Sequence, residues 1–194
     1  MKIYDVTQEV FSCRVYPGDI APAFRRVSDM NDGAPCNITE ISMNAHNGTH
    51  LDAPRHFVKD GATIEQLPPE TLIGPCRVAC FEGGIGPEDL EPYRGIRRLI
   101  AKGDCYMTLE GAKALTGLGT EFFGLEAQSV AGDTPPLAVH VEILSHGIPI
   151  LEGLDLTGVP EGDYFLFAAP LKLGGAEGAP CRAVLIDGEG GGLL

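Results

Sequence analysis

The stretch His46-Asn47-Gly48-Thr49-His50-Leu51-Asp52-Ala53-Pro54-Arg55-His56-Phe57 holds three of the five histidines in this 194-residue sequence. A helix would place His46 and His50 on one face, because they are four residues apart. Gly48 and Pro54 argue against a helix, since glycine and proline both disfavour helical backbone. We therefore predict that this stretch is extended.

Side chains in an extended segment point alternately to its two sides. His46, His50 and Asp52 are separated by even numbers of residues, so they would project from the same side. Two imidazoles and a carboxylate on one side are typical of a divalent metal site. His56 would share that side only if Pro54 leaves the alternation undisturbed. The alternative is a polar loop with ordinary histidines, which does not explain why these residue types cluster.

The residues before this stretch predict the structure that leads into it. Apolar and polar residues alternate over 37–46, which favours a packed strand that would hold the ligands on its polar side. Further upstream, Tyr16-Pro17-Gly18-Asp19 predicts a tight turn. Residues 20–36 between them predict an irregular loop that could lie over a site.

The rest of the chain alternates between short strands and short helices. The patterns predict strands over 2–15, 76–82, 98–101, 122–126, 148–151, 164–168 and 183–186, and helical segments over 63–67, 86–90 and 108–115. The clearest helix starts at Asp133-Thr134, has Pro135 in its first turn and stops at Gly147. Strands outnumber helices, and 26 glycines and 15 prolines interrupt them. We therefore expect one α/β domain over residues 1–194, built on a curved or barrel-like sheet.

Composition excludes several classes of partner. The formal net charge of −13 would repel nucleic-acid phosphates, so no nucleic-acid partner is expected. No apolar run reaches the length of a membrane span, and the first residues lack the apolar core of a signal peptide. The six cysteines contain no CxxC pair, which favours free thiols over disulfides. These features predict a cytoplasmic protein with a small-molecule substrate and no membrane partner.

A metal site on this stretch needs further ligands from elsewhere in the chain. His140 lies in the predicted helix beside its apolar stripe, where a lone histidine is usually a hydrogen-bonded core residue. Glu152 follows an apolar run and needs a partner if it is buried. His146 lies in the last turn of the helix, where the helix dipole favours a histidine. The residue patterns thus leave His140 and Glu152 as candidates and give His146 no metal role.

The stretch from His46 to Phe57 resembles the H-x-G-T-H-x-D-x-P-x-H-F signature of the metal-dependent cyclase family, which includes bacterial kynurenine formamidases and isatin hydrolases. The likeness extends over nearly the whole chain. Its further parts are the turn Tyr16–Asp19, the segment Gly124–Val130, the twelve-residue spacing of His140 and Glu152, the segment Gly162–Tyr164, and the run Ala169-Pro170-Leu171-Lys172.

The resemblance implies a site with two divalent metal ions, usually zinc, with manganese as the alternative. It assigns five residues to the metals: His46, His50, Asp52, His140 and Glu152. The first three would bind one ion, His140 would bind the other, and the carboxylates of Asp52 and Glu152 would bridge both. The implied fold is a flattened β-barrel with flanking helices, a swivelling β/β/α arrangement, in a homodimer or homotetramer.

The implied activity is hydrolysis of a small amide by metal-activated water, with His56 as general acid and base. Its most specific form is arylformamidase activity, the conversion of N-formylkynurenine to kynurenine and formate. Kynurenine formamidases carry a tryptophan before the Pro-Gly-Asp turn that stacks on the aryl substrate. Here that position is Tyr16, which we expect to contact the substrate. The alternatives are ring-opening hydrolysis of a cyclic amide or lactone, as in isatin hydrolases, and a non-catalytic metal-binding protein.

Overall fold

A computed structural model describes residues 1–132 and 137–188. The strands in the described residues are β1 (Lys2–Asp5), β2 (Ala23–Ser28), β3 (Ile38–Ser42), β4 (His50–Asp52), β5 (Ile73–Cys80), β6 (Gly83–Ile85), β7 (Arg98–Lys102), β8 (Cys105–Met107), β9 (Phe122–Leu125), β10 (Ile150–Glu152), β11 (Gly162–Phe167), β12 (Gly178–Pro180) and β13 (Val184–Asp187). The α-helices are α1 (Pro69–Leu72), α2 (Pro87–Leu90), α3 (Leu109–Thr116) and α4 (Leu137–Ser145). Short 3-10 helices span Val10–Ser12, Met30–Asp32, Pro54–His56, Ile64–Gln66 and Glu91–Tyr93.

Nine strands form one mixed sheet in the order β1-β13-β11-β5-β7-β9-β10-β4-β12. The central strands β5, β7, β9 and β10 run parallel, and the strands on either side pair antiparallel. The sheet is curled and carries few helices, so the predicted α/β fold with a curved sheet is confirmed.

The sheet separates two hydrophobic cores. Ile100 and Phe122 point into one core, whereas their sequence neighbours Leu99 and Phe123 point into the other, and all four are fully buried. This follows from the strand geometry, in which successive side chains point to opposite faces. Because both faces are covered, these strands have continuous apolar sequences instead of alternating ones.

The two longer helices agree with their sequence signals. Thr108 caps α3, since its hydroxyl accepts the backbone N–H of Gly111 at 3.0 Å. Helix α4 ends at Ser145, and Gly147 follows in the left-handed conformation with a φ of 75°. The start predicted for α4 at 133–135 lies outside the described residues. Among the helices that the structure describes, none has the length and apolarity needed to cross a membrane.

The segment between the Tyr16 turn and His46 differs from the prediction. The turn itself forms, with the N–H of Asp19 donating to the carbonyl of Tyr16 at 3.0 Å. Beyond it, however, β2 and β3 form an antiparallel hairpin in place of an irregular loop and a packed strand. All five residues of β3 are exposed, and Ile41 is 57% exposed. The prediction failed because the alternation of residues 37–46 does not reveal what covers the apolar side.

Candidate metal centre

Register in the sheet brings His50 and Glu152 together. His50 and Asp52 lie on β4, which is buried between β10 and β12. Glu152 lies on β10 directly opposite His50. Residues directly opposite each other in an antiparallel pair project from the same face of the sheet. As a result, Nε2 of His50 lies 3.4 Å from Oε2 of Glu152, and both side chains are buried.

His46 reaches the same place by a turn. Gly48 has a φ of 67°, a left-handed conformation that glycine adopts without strain, and it ends the extended backbone. Gln128 holds this turn, because its Nε2 donates to the carbonyls of His46 and Gly48 at 3.2 and 3.1 Å. The turn places Nδ1 of His46 2.9 Å from Oδ1 of Asp52. The three side chains therefore lie close together, but the strand alternation predicted for His46 was wrong.

His140 enters from α4 and completes a second group of side chains. Its Nε2 lies 3.3 Å from Oε1 of Glu152 and 3.8 Å from Oδ2 of Asp52. The backbone N–H of Val130 donates to Oε1 of Glu152 at 2.6 Å and fixes this carboxylate. His140 is thus a buried histidine of the kind found in cores, but it faces two carboxylates.

Asp52 belongs to both groups. Potential metal-binding atoms lie within 4.8 Å of one another in the set His46, His50 and Asp52, and again in the set Asp52, His140 and Glu152. Asp52 is fully buried, and its Oδ2 has no hydrogen-bond partner in the part of the chain that the structure describes. A buried carboxylate oxygen without a partner is destabilising, and a cation between the two groups would satisfy it. Three imidazoles and two carboxylates also suit a divalent metal ion. We call these five side chains the Asp52 cluster.

The carboxylates of the Asp52 cluster favour protonated imidazoles in the metal-free chain. Burial by itself lowers the pKa of His46, but the hydrogen bond to Asp52 and the charges of Asp52 and Glu177 outweigh burial and raise this pKa to about 9. Burial is likewise outweighed at His50, where Glu152 and Asp52 raise the pKa. A metal ion requires the neutral imidazole. Binding of a metal ion to His46 at neutral pH would therefore displace a proton, and it would weaken as the pH falls below about 9.

His56 lies beside the Asp52 cluster but belongs to neither metal group. The 3-10 helix Pro54–His56 follows β4 after one residue and places Nε2 of His56 3.9 Å from Oδ2 of Asp52. Its ring stacks on that of His46, with 4.1 Å between the ring centroids. Burial and the charges of the neighbouring histidines lower the pKa of His56, despite the opposing charge of Asp52. The lowered pKa favours the neutral imidazole of His56, which can accept a proton.

A pocket of about 210 Å³ leads to the Asp52 cluster. Tyr16, Asp19 and Phe57 line it together with four of the histidines of the stretch and of α4. Phe57 stacks on His140, with 4.5 Å between the ring centroids. The pocket therefore combines aromatic walls, which include Tyr16, with a strongly polar end.

Two residues near the site were missed from the sequence, and one histidine lies outside it. Gln128 holds the His46 turn, and Oε1 of Glu177 lies 3.3 Å from Nε2 of His46. Glu177 precedes a strand in a glycine-rich turn, and no local pattern marks it. Gln128 lies in the segment Gly124–Val130, whose family resemblance was the available signal. His146 is exposed at the end of α4, where its Nδ1 contacts the carbonyl of Glu142 at 2.8 Å.

Comparisons with known proteins find relatives of this chain in sequence and in fold. The sequence model of the Cyclase family matches residues 4–131. A kynurenine formamidase of Erythrobacter litoralis is 32% identical over 201 residues, which cover 95% of this chain and 93% of the relative. The structure of a potential metal-dependent hydrolase with cyclase activity is 31% identical, covers 97% of this chain and 98% of its own, and superposes with a TM-score of 0.82. Isatin hydrolase A of Labrenzia aggregata, at 22% identity, shares the fold, with a TM-score of 0.80 and coverage of 95% and 93%.

Proposed function

Because this chain belongs to the cyclase family of metal-dependent hydrolases, we propose that the Asp52 cluster hydrolyses a small amide, with arylformamidase activity as its most specific form. The chain is an amidohydrolase that acts on C–N bonds other than peptide bonds. The observation that carries the proposal is the buried Asp52 cluster at the end of a small aromatic pocket, where Oδ2 of Asp52 has no hydrogen-bond partner among the described residues.

The five side chains of the Asp52 cluster would hold two divalent ions, with zinc as the first choice and manganese as the second. Bound there, the ions would polarise the substrate carbonyl and bring the pKa of a water molecule to about 7. Groups outside the Asp52 cluster orient its metal-binding atoms. The carbonyl of Gly48 lies 2.9 Å from Nδ1 of His50 and so turns its Nε2 towards the carboxylates.

His56 would move the proton during hydrolysis. The attacking water must lose a proton, and the departing amine must gain one. The His56 imidazole has a lowered pKa that favours its neutral form, is 26% exposed and lines the pocket. It can therefore take the proton from water and then donate it to the leaving nitrogen. No serine or cysteine nucleophile is needed for this route.

The pocket supports a small aryl substrate. Its volume of about 210 Å³ suits a small molecule, and Tyr16 and Phe57 supply aromatic surface on which an aryl ring can stack. Tyr16 replaces the tryptophan of kynurenine formamidases, so an isatin-like lactam is the second candidate. The two substrates differ in product, since a formamide releases formate and a lactam opens to one acid.

We predict that the metal-loaded chain releases formate from N-formylkynurenine and that EDTA abolishes this release. A Tyr16→Ala variant should raise the KM for this aryl substrate about fivefold, because a stacked aromatic pair contributes about 1 kcal/mol. Hydrolysis of an aliphatic formamide by the same variant should be unchanged. A metal-loaded wild-type chain that opens isatin and releases no formate would contradict arylformamidase activity and support ring-opening hydrolysis of a lactam.

We further propose that the protein is a homodimer that uses the β2–β3 hairpin as its contact surface. Half of the large apolar side chains that are exposed in the described residues lie on the hairpin or in the segment that precedes it: Phe11, Ile20, Phe24, Val27, Met30, Ile38 and Ile41. An isolated two-stranded hairpin is marginal in water, so this one needs a cover. Residues 20–42 carry two arginines and three acids, a net charge of −1 in a chain of −13. This small local charge leaves little electrostatic repulsion against the approach of two hairpins.

We predict that Phe24→Asp converts the dimer to a monomer in sedimentation analysis. The variant places a charge on the apolar face of the hairpin, where Phe24 is 56% exposed and contacts Phe11. Leu171→Asp is the matched control, because Leu171 is 59% exposed outside the hairpin. A wild-type chain that sediments as a monomer at every concentration would contradict the proposal, as would a dimeric Phe24→Asp variant.

A further inference from the structure

Glu177 faces the side of His46 that points away from Asp52. Nδ1 of His46 lies 2.9 Å from Oδ1 of Asp52, while its Nε2 lies 3.3 Å from Oε1 of Glu177. The two ring nitrogens thus face two different carboxylates. Only Asp52 is fully buried, whereas the Glu177 side chain is 44% exposed. In the described residues Glu177 belongs to neither group of metal-binding atoms.

The backbone ties Glu177 to the strand that carries the ligands. The N–H of Ala53, the residue after β4, donates to the carbonyl of Glu177 at 2.8 Å. The next residue, Gly178, begins β12 and lies opposite Asp52 in the β4–β12 pair. A side chain at Gly178 would collide with His46, since its Cβ would lie 2.7 Å from Cε1 of the ring. Backbone pairing with β4 therefore fixes the position of Glu177, and the lack of a side chain at Gly178 leaves space for the His46 ring.

We propose that Glu177 is a positioning residue that accepts the Nε2–H of His46 and leaves Nδ1 as the nitrogen that binds the metal. A neutral imidazole has one N–H and one free lone pair, and a hydrogen bond to the N–H decides which nitrogen keeps the lone pair. Histidine ligands of metals commonly donate their other N–H to a carboxylate in this way. The inference rests on the proposed function, because it assumes that His46 binds a metal ion.

Two other roles for Glu177 make different predictions. A solvent-exposed ion pair contributes little, and its loss would leave metal affinity unchanged. If Glu177 were itself a metal ligand, Nδ1 of His46 would not be the metal-bound nitrogen in the loaded protein. Zinc affinity and the tautomer of His46 therefore separate these roles.

The test measures the zinc Kd of the metal-free full chain by competition with a chelator. We expect Glu177→Ala to weaken zinc binding about 10- to 100-fold, the usual effect of removing such an outer partner. Glu177→Gln keeps an oxygen acceptor and should weaken binding less. The matched control is Glu161→Gln, because Glu161 is 43% exposed and pairs with Arg77 at 3.4 Å away from the Asp52 cluster. The control should bind zinc as the wild type does.

Two further measurements distinguish the proposed role of Glu177 from a purely structural one. The melting temperature of the metal-free chain should fall by at most about 4 °C in Glu177→Ala, because a partly exposed ion pair contributes at most about 1 kcal/mol. Nitrogen-15 NMR of the zinc-loaded wild type should show the proton of His46 on Nε2. Wild-type affinity in Glu177→Ala, or metal on Nε2, overturns the inference and leaves the proposed function standing. A wild-type chain that binds no zinc overturns both.

Discussion

Replacing Asp52 with asparagine is expected to abolish hydrolysis, because both metal groups lose their shared carboxylate in one step. Oδ1 of Asp52 lies within 3.6 Å of nitrogens of His46 and His50, and its Oδ2 faces His140 at 3.8 Å. An amide at this buried position offers one oxygen and no negative charge. We expect a loss of kcat on the order of 10⁶-fold, the lower end of enzymatic rate enhancements.

Metal analysis and turnover, measured on the same preparation, check this expectation. Asp60→Asn is the control, since its side chain is 91% exposed and the same change there should alter neither quantity. The pKa of His46 gives a second readout, because its value of about 9 depends on the charge of Asp52 and should fall in Asp52→Asn. An Asp52→Asn variant that keeps its metal and turns over at the wild-type rate would refute the role of Asp52.

Replacing His56 with glutamine is expected to lower kcat about 10²- to 10⁴-fold, the usual contribution of a general acid–base group. Metal content should stay at the wild-type value, because His56 belongs to neither metal group. KM should change little, since glutamine retains much of the volume of the imidazole. The comparison requires kcat, KM and metal content from one preparation.

His146→Gln is the control for the His56 variant. His146 is exposed at the end of α4 and should tolerate the change without loss of activity. If His56→Gln instead loses metal in proportion to activity, His56 is a ligand and its role in proton transfer fails. Full activity in His56→Gln would exclude both roles.

The metal cluster could be predicted from the sequence only where its ligands are close along the chain. His46, His50 and Asp52 lie within seven residues, so their spacing alone pointed to a metal. His140 and Glu152 stayed candidates, because their approach depends on the β4–β10 register and on the position of α4. These are long-range features that residue patterns do not encode, and only the family resemblance assigned the two residues.

Other parts of the structure were not predictable for physical reasons. The alternation of residues 37–46 is the same whether a strand packs on its own core or against another molecule, so the exposure of β3 was missed. Glu177 contacts His46 across 131 positions of sequence, and neither its neighbours nor its spacing marks it. The buried strands, the N-cap of α3 and the stop of α4 at Gly147 were easier to predict, since they depend on local residue types.

The central claim is that hydrolysis takes place at the Asp52 cluster and requires metal ions there. The most direct test removes metal from the wild-type chain with a chelator and titrates zinc back while formate release from N-formylkynurenine is followed. We predict no turnover without metal and a rise to a plateau at two zinc ions per chain, one for each group of ligands. Turnover that persists in the metal-free chain, and does not respond to added metal, would contradict the account.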